Sequence, residues 1–174
     1  MIGYNFRMGE IEAAIGIQQL KKVKERVKLK QDIARKLNFG LKNLKGLKLP
    51  KIRNHSTHSY YIYPMILDIK KLKIKRYKIF KALTAEGVQG LTEKYVLIHL
   101  YPMYKKKIAY GLKNFPWSIT RKIKYKKGLC PVAENLQNNT FLGLQIQLFD
   151  LRRKDVNKII EAFKKVWRNI ENLR

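Results

Sequence analysis

The sequence predicts an α/β fold of the α+β kind: a long N-terminal interdomain helix, then a small domain of about three mainly antiparallel strands with helices on one face. Three observations carry this expectation. From about Glu10 to Leu44, apolar residues recur at Leu20, Val23, Val27, Ala34, Leu37, Leu41 and Leu44 at helical spacing, interrupted only at Lys30 and Gln31. Short apolar and β-branched or aromatic runs at 60–67, 88–92 and 141–148 read as strands. A closing segment from Arg153 to Leu173 places Val156, Ile159, Ile160, Phe163, Val166, Trp167 and Ile170 on one helical face.

In chain order, Gly9 can stand as the N-cap of the first helix, with Glu10 and Glu12 setting negative charge against the unpaired amides of its first turn. At ~1.5 Å per residue that helix is on the order of 50 Å long, more than one small domain covers. Its start is apolar nearly all round, at Ile11, Ala13, Ala14, Ile15 and Ile17, so a partner surface is expected near residue 15. Further along, Lys21, Lys22, Lys24, Arg26 and Lys28 read as a solvated face. Gly46 and Pro50 end the helix and open a connector.

Tyr60, Ile62, Met65, Ile66 and Leu67 form the first strand, where Pro64 lacks a ladder donor and argues for an edge position or a strand end. A helix from about Ile74 to Glu86 is closed by Gly87, and Val88 to Thr92 reads as a second strand returning beside the first. The stretch from Glu93 to Arg121 is loop-rich, broken by Pro102, Gly111 and Pro116 and anchored by Tyr101, Tyr104, Tyr110, Phe115 and Trp117. Loops of this length are more often functional than filler. Pro131 suits the first turn of a short helix through Asn135 and Leu136. The expected division is 1–49 as a turn plus interdomain helix and 50–174 as the small domain.

Composition narrows the class. The 39 basic and 12 acidic residues give a formal charge of +27, which raises affinity for polyanions whatever else the protein does. Lysine outnumbers arginine 29 to 10 and is dispersed, with no RRM, KH or zinc-finger pattern, so a small nucleic-acid-binding protein is the rival reading rather than the first. The single cysteine, Cys130, excludes a disulfide framework. His55 and His58 stand three apart without a third ligand nearby, so no metal site is expected. No apolar run reaches the roughly 18 residues that span a bilayer, and a soluble cytoplasmic protein is expected.

The candidate binding residues begin with Asn5 and Arg7, two donors in the turn that precedes the helix start, an arrangement suited to a phosphate. His99 stands in the loop with Tyr101 and Tyr104 close behind; an imidazole there can hydrogen-bond a sugar or a diphosphate. The run Tyr95 to His99 is apolar and strand-like. Glu134 reads as an ordinary helix-start carboxylate, and Cys130 as a small buried apolar residue.

The string Gly3-Tyr4-Asn5-Phe6-Arg7-Met8, followed by Glu10, Ala13-Ala14-Ile15-Gly16 and Gln19-Leu20, resembles the turn and helix of the DegT/DnrJ/StrS sugar aminotransferases. His58-Ser59-Tyr60-Tyr61-Ile62-Tyr63-Pro64, Ala85-Glu86-Gly87-Val88, His99 with Tyr101-Pro102-Met103-Tyr104, and Cys130-Pro131-Val132-Ala133-Glu134 are similar to later family segments in the same order. The resemblance implies a pyridoxal 5'-phosphate enzyme of the aspartate aminotransferase fold. It gives Asn5 the role of a donor to the cofactor phosphate across a homodimer interface and Arg7 that of site support. His99, Tyr101 and Tyr104 become substrate-side residues.

Transamination also needs a lysine that binds the cofactor, an acidic partner for its ring nitrogen and an aromatic platform. The resemblance places these upstream of Gly3, so the chain reads as the C-terminal part of such an enzyme, with no catalytic residue of its own and inactive by itself. Its expected partners are the large-domain half, a homodimer mate, a nucleotide-linked keto sugar and glutamate or glutamine as amino donor. No specific nucleic acid and no membrane are expected. A non-catalytic paralogue that only dimerises is the other alternative.

Overall fold

The computed structural model describes residues 7–108, 115–119 and 123–173. Helix α1 runs unbroken over Glu10–Leu41, followed by strands β1 (Leu47–Lys48) and β2 (Tyr63–Leu67), a short α2 (Ile69–Leu72), and α3 (Arg76–Ala85). Strand β3 (Leu91–Thr92), the short α4 (Pro102–Lys105) and α5 (Pro131–Asn135), strand β4 (Phe141–Leu144) and α6 (Arg153–Arg168) complete the order.

The sheet order is β1-β2-β4-β3 with every pairing antiparallel. Strand β2 alternates, with Tyr63, Met65 and Leu67 buried and Ile66 exposed. Its buried set meets Leu142 and Leu144 of β4, Ile79 and Leu83 of α3, Phe163 of α6 and Leu37 and Leu41 of α1 in one core. Helices α1 and α6 approach closely at Gly40, where a Cβ would collide with Ile160.

Four details differ from the sequence reading. β3 does not lie beside β2: the crossover through α3 leaves a gap between these parallel strands, and β4 fills it antiparallel to both. Pro64 therefore sits in a central strand. This is tolerated because β1 reaches only Ile66 and Leu67, leaving Pro64 with no ladder neighbour on that side. β1 itself is an addition, a two-residue strand within the expected connector. Tyr95 to His99 is not a strand; a 3-10 turn spans Ile98–Leu100.

Helix α1 has two different halves. Ile33, Ala34, Leu37 and Leu41 are buried in the core, whereas Ile11, Ile15, Ile17 and Leu20 are exposed. The two residues that break the apolar stripe mark the entry into the domain. Lys30 Nζ donates to the carbonyls of Ile146 at 2.8 Å and Phe149 at 2.9 Å, and Gln31 Nε2 donates to the His58 carbonyl at 3.1 Å. Burial lowers the Lys30 pKa, partly offset by Asp150. Among the described residues no helix is long and apolar enough to cross a membrane.

Candidate functional site

The candidate residues fall at two places. The first is the start of α1, where Gly9 is extended and gives no side-chain cap, and the helix ladder opens with Ala13 N donating to Gly9 O at 3.0 Å. The amides ahead of Ala13 therefore have no ladder partner, and they lie at the positive end of a 32-residue helix. A Cβ on Gly9 would collide with the Glu12 carboxylate, which itself lies over this turn. Arg7 is exposed just ahead of it. Asn5 lies outside the described residues.

The second place is the loop after β3. His99 Nε2 lies 2.9 Å from Glu134 Oε1, with both side chains about nine-tenths buried. Glu134 also accepts from Gly128 N at 2.8 Å and 2.9 Å, through its two oxygens, and from Cys130 N at 3.3 Å. Pro131 begins α5 at its first helical position, and Glu134, one turn along, folds back over the chain that enters the helix. The Gly128 amide bond, foremost, and the His99 contact hold the Glu134 carboxyl below its ordinary pKa, against the opposing effect of burial. It is an ionised acceptor in this setting.

The beginning of the same loop is held separately. Arg76 is buried at the start of α3, and its Nη1 donates to the carbonyls of Gln137 at 2.8 Å, Leu136 at 3.2 Å and Phe141 at 3.3 Å. Its Nε meets Glu93 at 3.3 Å, and Tyr95 N donates to Gln137 Oε1 at 2.6 Å. The carbonyls that Arg76 reaches belong to a π turn over Leu136–Thr140 and the residue after it, a wide turn of the kind often found at functional sites.

Tyr101 is exposed and precedes α4. The Tyr104 ring packs on Trp117 and Tyr125, with centroids 5.5 Å and 5.3 Å away, so most of its surface serves the loop's own packing. Trp117 and Tyr125 close the trio at 5.5 Å. The structure thus joins His99 to Glu134, which the sequence reading left as a plain helix-start carboxylate, and adds Arg76, which it did not single out. A carboxylate one turn into a helix that opens Cys-Pro is a usable signal only once a partner such as His99 is known to be near.

The arrangement matches known proteins along almost its whole length. The model of the DegT/DnrJ/EryC1/StrS aminotransferase family matches residues 1–164. The uncharacterized protein MJ1066 of Methanocaldococcus jannaschii is 36% identical over 124 residues, covering 70% of this chain and 32% of that protein. GDP-perosamine synthase of Vibrio cholerae is 32% identical over 117 residues, covering 66% of this chain and 31% of the synthase. The aminotransferase TlmJ from Streptoalloteichus hindustanus superposes with a TM-score of 0.68 at 25% identity, over 92% of this chain and 37% of that one. The chain spans about a third of the length of the curated relatives it matches. It belongs to the DegT/DnrJ/EryC1/StrS aminotransferase family.

Proposed function

We propose that this chain forms the C-terminal part of a pyridoxal-phosphate-dependent aminotransferase that acts on a nucleotide-linked keto sugar in amino-sugar or polysaccharide biosynthesis. The observation that supports it most is the first half of α1. Ile11 is 77% exposed, Ile15 58%, Ile17 55% and Leu20 71%, on a helix whose second half is fully built into the domain. An apolar helix start of this kind calls for a protein surface, and the family relationship suggests a large domain and a homodimer mate as its source.

The donors present suit the phosphate end of the cofactor: a guanidinium at Arg7 and the unladdered amides after Gly9, with the Glu12 carboxylate swinging aside to admit it. Asn5 stands at the sequence position that matches the family's phosphate donor. When bound, pyridoxal phosphate carries the amino group between a donor such as glutamate or glutamine and the keto sugar. This chain's residues bind and orient. Arg7 and the α1 amides neutralise the phosphate, while His99 and Tyr101 face the sugar side. Tyr104 supports that side from within the aromatic trio. No lysine of this chain is assigned the covalent role.

The test is complementation. Purified by itself, the chain should give no turnover of a keto sugar nucleotide, and activity should appear on mixing with a matching large-domain half. Turnover by the isolated chain, with the cofactor held stoichiometrically on one of its lysines, would overturn the proposal.

A further inference from the structure

Glu134 makes more contacts than a helix start requires. Its two oxygens take the Gly128 amide, the Cys130 amide and His99 Nε2, so one buried carboxylate ties the first part of the loop to its return 29 residues later. A carboxylate held as an ionised acceptor has no proton to give. The group at 2.9 Å must therefore be a donor, which fixes the proton of a neutral His99 on Nε2. That leaves Nδ1 as a bare lone pair. No hydrogen bond to Nδ1 is formed among the described residues.

We propose that Glu134 is a positioning residue that presents His99 Nδ1 as a hydrogen-bond acceptor, so that His99 takes a hydroxyl of a sugar ligand rather than an oxygen of its diphosphate. The diphosphate carries only acceptors toward such a nitrogen and would meet lone pair against lone pair, whereas a sugar hydroxyl donates. The ligand part rests on the proposed reading of His99 as sugar-facing. The tautomer does not.

The first measurement uses the full chain at pH 8, with its ring nitrogens labelled and read by long-range nitrogen–proton correlation. Only three histidines are present, which makes assignment by single His→Gln variants direct. His99 should show a protonated Nε2 and an unprotonated Nδ1. Glu134→Leu, which removes the acceptor altogether, should release the ring to mix the two forms. A wild-type His99 with its proton on Nδ1 overturns the proposal without recourse to any variant, and so does a tautomer ratio unmoved by Glu134→Leu in a chain that keeps its folded spectrum.

The second measurement uses the complex reassembled with the large-domain half, with a UDP-linked keto sugar as substrate and UDP as the diphosphate probe. His99→Ala and Glu134→Leu should each raise KM for the sugar nucleotide roughly three- to tenfold and leave inhibition by UDP unchanged, as expected for one neutral hydrogen bond. Equal weakening of both ligands overturns the hydroxyl assignment. A complex indifferent to His99→Ala removes the sugar-facing reading and the ligand part with it, and the ring spectrum then decides the positioning role independently.

Discussion

Glu134 and Arg76 are two buried charges that fasten one loop, and they respond differently to perturbation. Because the Glu134 carboxyl is held below its ordinary pKa of 4.5, folding binds fewer protons at this group than unfolding does. Its contribution is complete above pH 4.5 and is lost as the pH falls through the lowered folded value. The Gly128 and Cys130 amides should therefore lose hydrogen-exchange protection in that acid window before the core does, and Glu134→Gln should abolish the pH step. Arg76 fastens the loop through several donors at once. Replacing it with Met takes the guanidinium donor from Glu93 and from three carbonyls, and the loss should be about 3 kcal/mol by urea denaturation. Neither partnership was legible in the sequence: Glu134 and His99 are 35 positions apart, Arg76 and Gln137 are 61, and no periodicity links them. His99 was singled out because its loop resembles a family segment, whereas its partner was not.

At the scale of elements, α1 is one helix with two environments. Leu37→Ala should cost about 2 to 5 kcal/mol, since Leu37 is fully buried against the sheet, whereas Leu20→Ala should change the isolated chain's stability by less than about 0.5 kcal/mol. Thermal or urea melts of the two variants separate these outcomes directly. The 3.6-residue period revealed the helix but not the change of environment; Lys30 and Gln31, read as interruptions, are the residues that bond the helix to the domain. Strands β2 and β4 were legible from their apolar content. The pairing of β3 with β4 was not, because an apolar strand carries no label for its neighbour, and two-residue β1 is too short to show any pattern. The α6 stripe was read almost residue for residue, since seven of its positions repeat at helical spacing and are buried.

For the whole molecule, the domain's own core is complete while its N-terminal end is not. The helices and sheet share one cluster, yet the apolar residues from Ile11 to Leu20 remain exposed. In the proposed enzyme this end meets the large domain and places the turn around Asn5 and Arg7 beside the cofactor phosphate. The measurement that tests this account most directly is retention of pyridoxal phosphate by the complex reassembled with the large-domain half, followed by its visible absorbance during dialysis. Asn5→Ala should weaken retention about ten- to hundredfold, the effect of losing a hydrogen bond to a charged group. Replacing the exposed Lys105 and Lys106 should leave it nearly unchanged, because their field is screened. A complex that holds the cofactor equally well without Asn5, or loses it only when the two lysines are replaced, would contradict the account.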